Sequence, residues 1–404
     1  MNSAPLPSRF RWGLVLPLAF GQLVSWGSLY YAFAVIAGPM SLDLGWSKPE
    51  VNGALSVGLG CTGIASFFAG RAIDRYGGRA LMTLGSTAAA LLLLMWSWID
   101  ALWQLYVIWG LMGMVFSTVL YEPVFAVMAR ELRDDYRRGI IVITLLGGLA
   151  STVFIPLTHV LVESLDWREA LRVLALIQIP FGIVLHWFVL PGSGAGTTLA
   201  RAATRPKGGV WKAARTPVFW LLAISYAAHS FMFTTVSFHI LPLLTERGFA
   251  MAAAVAAYSI VGPSQVAGRM AVYALERRIK VSLAGTVATA LPVAGIICLM
   301  LAQPGTPFLY VFAVLYGAGM GIKTIVQATA APEFLGREGY GALQGTFAGI
   351  NYAIQAATPF ATALLWQATG RYDTVLWLLL AITAMSAAAF AGAVLLRPRQ
   401  PLLS

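Results

Sequence analysis

The chain has 404 residues, 59% of them hydrophobic and 11% charged, with a net charge of +11, and its mean hydropathy is +0.76. Soluble domains carry about 25% charged residues, so this chain has too little charge to solvate a surface and too much apolar area for one core. A soluble enzyme, a disordered chain and a disulfide scaffold are excluded, which leaves a polytopic membrane protein.

A membrane helix needs about 20 mostly apolar residues, and cutting the chain at clusters of charge, Gly and Pro predicts twelve of them. The first, near 12–40, follows Arg9 and Arg11. It is far longer than the core of a secretion signal, about 7–15 residues, so it reads as an uncleaved helix. Spans near 50–69 and 80–99 bracket the loop Gly70-Arg-Ala-Ile-Asp74-Arg75-Tyr-Gly77-Gly-Arg79. There Gly70 permits close helix approach and Gly77 a tight turn, while Asp74 can cap a helix N-terminus and pair with an arginine. Spans near 102–128, 139–162 and 170–190 complete a first six-helix half, residues 1–190. Residues 191–216 hold five basic side chains and no acidic ones, with glycines at 192, 194, 196, 208 and 209. The glycine run lacks the Gly-Lys-Ser/Thr of a phosphate loop, so the segment reads as a flexible basic linker. Spans near 217–244, 249–275, 281–302, 306–331, 342–368 and 373–396 form the second half, residues 217–404. The expected fold is an all-α membrane protein of twelve transmembrane helices in two pseudo-symmetric six-helix halves.

With the N-terminus cytoplasmic, twenty of the 27 Lys and Arg residues fall on the cytoplasmic side, five (Lys48, Arg168, Arg172, Arg247, Arg371) on the other, and two inside spans. This positive-inside bias places both termini in the cytoplasm. It explains the net charge by topology and lipid headgroup contact, without nucleic acid. Cys61 and Cys298 lie far apart in apolar runs, and the four histidines form no i,i+4 metal pair; no cofactor or metal is expected.

Charges inside a bilayer cost at least about 2.5 kcal/mol and mark pathways or pairs. Three are expected here: Glu122 in span 4, Arg269 in span 8 and Lys323 in span 10. Each lies about 12–15 Å from the cytoplasmic end of its helix, so they can share one layer around a cavity. Two positive charges and one negative leave a cation to be neutralised by an arriving anion, with Arg269 giving bidentate contact to a carboxylate. Lys323 would pair with Glu122 or act as a second anchor. Alternatively, Glu122 neutralises one cation while the other snorkels to the surface. Glu122 is also the candidate carrier of a coupling proton. Tyr31, Tyr121, Asn351 and Gln355 are candidate polar groups of the cavity. So is His239, because the kink at Pro242 frees backbone groups beside it.

The loop Gly70, Asp74, Arg75, Gly77 and Arg79 matches, position for position, the Gly-x-x-x-Asp-Arg-x-Gly-x-Arg loop of the major facilitator superfamily, and the chain resembles a member of that family. The resemblance implies two halves latched by this loop in the outward-facing state. The equivalent stretch after span 8, Tyr273-Ala-Leu-Glu-Arg277-Arg278, keeps the basic charge but not the glycine and aspartate. Trp26-Gly-Ser-Leu-Tyr30-Tyr31, with Pro39 and Gly45-Trp46-Ser47, looks like the start of bacterial monocarboxylate and oxalate/formate transporters. Span 8 resembles the monocarboxylate segment with an essential arginine, here Arg269, although Gln265 stands at the aspartate position. Span 11 offers Asn351 and Gln355 where the oxalate type has a lysine, and span 5 lacks the Gly-Pro-x-x-Gly-Gly of drug antiporters.

The expected function is a secondary transporter, not an enzyme: the chain has no Gly-x-Ser-Gly, no His-Glu-x-x-His and no paired intramembrane aspartates. It would move a small organic anion by alternating access, as a monomer in a bacterial inner membrane, in symport with a proton. The alternative is efflux of a drug, metalloid or metabolite.

Overall fold

The computed structural model describes residues 10–132, 136–192, 209–275, 279–335 and 340–397. Twelve helical passes follow one another. They are α1 (Trp12–Leu44), α2 (Lys48–Tyr76), α3 (Gly78–Trp96), α4 (Leu102–Val119 and Tyr121–Leu132), α5 (Tyr136–Gly147 and Ala150–Ser164) and α6 (Trp167–Val189), then α7 (Pro217–Glu246), α8 (Met251–Ser259 and Val261–Leu275), α9 (Val281–Leu301), α10 (Phe308–Leu335), α11 (Tyr340–Thr369) and α12 (Tyr372–Leu396). Ten of them are long and apolar enough to cross a bilayer, counting described residues alone. All twelve expected spans are helical. Most of the expected linker, 193–208, lies outside the described residues, and residues 209–214 form a short helix before α7.

Local chemistry sets the ends. The Ser47 hydroxyl accepts from the Glu50 backbone N–H at 3.4 Å, and the Glu50 carboxylate accepts from the Ser47 N–H at 2.8 Å. This reciprocal cap, with Pro49 in the first turn, starts α2 two residues earlier than the hydropathy cut. At its other end α2 runs seven residues past that cut, and Gly77 alone connects it to α3, with φ +80°. The tight turn expected of Gly77 is present, because a glycine takes that conformation without a Cβ clash. Asp74 belongs to the last turn of α2. The side chains of Gly70, Asp74 and Arg75 lie outside the described residues. Arg79 Nε donates to the Leu190 carbonyl at 2.5 Å, tying the start of α3 to the end of α6.

The first six helices pack mainly on one another (α2 on α4, α1 on α5, α3 on α4 and α6), as do the last six (α9 on α10 and α12, α7 on α12, α8 on α10). Across the middle, α2 meets α11, α5 meets α8 and α1 meets α7. Lys48 Nζ lies 3.4 Å from the centroid of the Trp366 ring. The Phe360 N–H donates to the Ser56 hydroxyl at 3.1 Å, and the Thr152 hydroxyl donates to the Ser259 carbonyl at 2.7 Å. These contacts lie on the side away from the termini. Thr324, nearer the termini, is exposed. The two sets of six helices are therefore joined on the side away from the start of α1 and the end of α12.

Candidate substrate site

Four helices depart from regular α-geometry at one depth. Pro123 lacks the N–H that would reach the Val119 carbonyl, and α4 breaks at Leu120, whose ψ is −157°. Gln22 of α1 supplies the missing donor: its Nε2 reaches the Val119 carbonyl at 2.6 Å. Pro263 does the same to the Ser259 carbonyl, α8 breaks at Ile260, and Thr152 of α5 supplies that donor. In α5 the interruption falls at Gly148 and Leu149, and in α1 residues Trp26–Tyr31 form a wide π-turn. Interrupted backbone at membrane depth is tolerated where protein or a water-filled cavity satisfies it, and such breaks frame the binding sites of many transporters. π-Turns likewise concentrate at functional sites.

Arg269 stands where these breaks meet. It is 8% exposed. Its Nη1 donates to the Thr144 carbonyl of α5, and its Nε to the Thr324 hydroxyl of α10 at 3.2 Å. A side chain at Gly148 would collide with the guanidinium, and one at Gly147 with the Tyr121 hydroxyl. The glycine pair is what admits both groups. Among described residues no carboxylate pairs with Arg269, and its electrostatic neighbours are Tyr121 and Tyr31. A guanidinium has five N–H donors, and two are committed here, so the remainder can hold an anion. Around it, Trp26 lies 5.0 Å from Tyr121 and 6.4 Å from Tyr31 between ring centroids, and Tyr121 stacks on Phe125 at 5.3 Å.

The other expected site residues fall into separate surroundings. Lys323 is 1% exposed and points into the last six helices. Its Nζ donates to Gln327 Oε1 at 3.1 Å, lies 4.1 Å from the Tyr226 ring centroid, and has His229 as a neighbour. Glu122 is exposed on α4 and bonds to Ser66 of α2. The expected Lys323–Glu122 pair is therefore absent among described residues, because the two side chains turn towards different helices. His239 is corrected as well. Its Nε2 must donate to the Pro359 carbonyl at 3.2 Å, so its Nδ1 accepts from the Tyr372 hydroxyl at 3.1 Å. Both ring nitrogens are spent inside the last six helices. On α11, Asn351 is buried with its Oδ1 unbonded, Gln355 is half-buried, and neither bonds to Arg269. Sequence reasoning missed Gln22, Trp26, Thr144 and Thr152 as parts of the site. The signals were Pro123 and Pro263, each of which orphans a carbonyl four residues back.

The profile of the Major Facilitator Superfamily matches residues 18–359. No curated protein sequence matches the chain. Among solved structures, a mutant of the nucleoside transporter NupG superposes with a TM-score of 0.77 at 14% identity, covering 94% of this chain and 98% of that one. NupG itself gives 0.74 at 14% identity, over 95% and 99%. A POT family transporter in complex with 5-aminolevulinic acid gives 0.73 at 14% identity, over 95% and 96%. At that identity the likeness is one of fold.

Proposed function

We propose that the chain, which belongs to the Major Facilitator Superfamily and is a membrane transporter and not an enzyme, moves a small organic anion by alternating access. One observation carries the reading: a buried guanidinium with no carboxylate partner among the described residues stands where four interrupted helices meet. A buried cation without a counter-charge is costly, and an anionic substrate is the partner that can come and go. Arg269 is the anchor, Tyr31 and Tyr121 flank it, and Asn351 offers an unbonded acceptor on α11. Glu122, exposed on α4 and bonded to Ser66 of α2, is the group available to carry a coupling proton. Lys323, sealed among the last six helices, adds a positive field to the site. The charge bias supports cytoplasmic termini in a bacterial-type inner membrane. Switching would rock residues 1–190 against 217–404 about the contacts of α2 with α11 and α5 with α8.

The test is a thermal-shift screen of the purified protein against small carboxylates, with nucleosides as neutral controls. Carboxylates should raise the melting midpoint by mass action. Arg269→Ala removes a buried charged partner, typically worth about 2–5 kcal/mol, so affinity should fall at least roughly thirtyfold. Arg269→Lys should fail almost as badly, because the ammonium keeps the charge but not the fork. Arg269→Lys binding carboxylates like the parent, or nucleosides stabilising where carboxylates do not, overturns the proposal.

A further inference from the structure

The walls beside Arg269 narrow the class of anion, on the premise that the site takes an anion at all. An aliphatic acid is best housed by branched aliphatic side chains. Here the surroundings of the guanidinium are rings: Tyr31 and Tyr121 as its electrostatic neighbours, with Trp26 against both and Phe125 stacked on Tyr121. They come from α1 and α4, opposite the α8 that carries Arg269. The set is tied to the local backbone. The π-turn carries Trp26 and Tyr31, and the break that Pro123 imposes on α4 falls one residue before Tyr121.

One observation separates this set from ordinary aromatic packing. Trp26, Tyr121 and Phe125 are only partly buried, whereas Trp96 and Trp109 are sealed. The Trp26 indole Nε1 has no hydrogen-bond partner among the described residues, and neither has that of the sealed Trp109, so partial exposure is what sets Trp26 apart. A guanidinium with no carboxylate partner among the described residues, beside partly exposed rings, suits a flat anionic molecule. Its carboxylate meets Arg269, its flat ring lies against Trp26 and Tyr121, and an acceptor atom reaches the indole N–H. A substrate cation is disfavoured beside an unpaired arginine, which leaves a neutral ring bearing a negative group.

We infer that the site at Arg269 is specific for aromatic carboxylates, with Trp26, Tyr31 and Tyr121 as the residues that distinguish a flat ring from a saturated one.

The experiment uses the full chain in nanodiscs and four probes: benzoate, cyclohexanecarboxylate, acetate and benzamide. Binding is read by quenching of tryptophan fluorescence and by the shift of the melting midpoint. Benzoate should bind at least about threefold more tightly than cyclohexanecarboxylate, in line with the extra attraction between aromatic pairs, and acetate should be weakest. Trp26→Leu should weaken benzoate binding more than cyclohexanecarboxylate binding, erasing the preference for benzoate. Trp26→Phe, which keeps a ring and guards against misfolding, should retain part of it. Equal binding of benzoate and cyclohexanecarboxylate overturns the ring specificity and leaves the anion reading intact. Benzamide binding as tightly as benzoate, unaffected by Arg269→Gln, overturns the anion reading itself. Failure of all four probes overturns both.

Discussion

Lys48 joins the two sets of six helices on the side away from the start of α1, and its removal should shift the balance between closed and open forms. Its Nζ lies 3.4 Å from the Trp366 ring centroid and 5.0 Å from that of Tyr372. Glu246 fixes these rings by accepting from Trp366 Nε1 at 2.7 Å and from the Tyr372 backbone N–H at 2.6 Å, and it attracts Lys48 as well. Cation–π contacts are worth about 0.5–1 kcal/mol at exposed sites and about 2 when desolvated. Lys48 is half-buried, and a partly solvated attraction to a carboxylate adds about 0–1 kcal/mol. The sum, about 1–2 kcal/mol, corresponds to a five- to thirtyfold change in the closed-to-open ratio. Lys48→Met keeps the length and apolar stem of the side chain but removes the charge. The assay is the distance distribution between spin labels at Leu42 and Gln303, both exposed on that side, in a background with Cys61 and Cys298 replaced by serine. The long-distance population should rise by that factor in Lys48→Met and stay near the parent value in Lys48→Arg, since a guanidinium also sits well on indole. An unchanged distribution in Lys48→Met would show that the aromatic contact only decorates a seal made elsewhere.

Two further outcomes follow from the interior. Gln22→Leu leaves the Val119 carbonyl without a donor, a loss of about 1–3 kcal/mol, and should lower the melting midpoint of the solubilised protein. Adding Pro123→Ala should restore much of it, because the new N–H lies four residues beyond that carbonyl; purely additive losses in the double variant would refute the assignment. Lys323→Met should raise the melting midpoint, since it replaces a buried ammonium that has no carboxylate partner among described residues with an apolar side chain of similar length. A lower midpoint would show that its bonds to Gln327 and Tyr226 outweigh its desolvation.

The twelve helices were legible because burial in lipid writes itself into composition: a run of apolar residues between charge clusters has one stable fate. Helix ends were less legible, as α2 shows, because a capping box and a single glycine decide them, and neither changes mean hydropathy much. Within the site, Arg269 was visible as a charge in an apolar run. The fate of Lys323 and His239 was not visible. Spacing along a helix gives depth but not the direction in which a side chain turns, and both turn into their own six-helix set. Gln22 and Thr152 escaped notice since each serves a carbonyl nearly a hundred residues or more away in sequence. Prolines at 123 and 263 were the available clue, and they point to the orphaned acceptor without saying which side chain serves it.

The Ser259 carbonyl ties solvent to motion. Its own helix offers it no donor, because Pro263 has no N–H, and its present partner, Thr152, belongs to the other set of helices. Parting α5 from α8 would strand that oxygen in a medium that cannot hydrogen-bond, unless water arrives in the same movement. The seam can therefore open only as a wetted cleft, from the mouth inward, and dehydration alone would hold it shut. A transporter built this way carries its bolt in the backbone, at a position where no substitution at residue 259 could remove it.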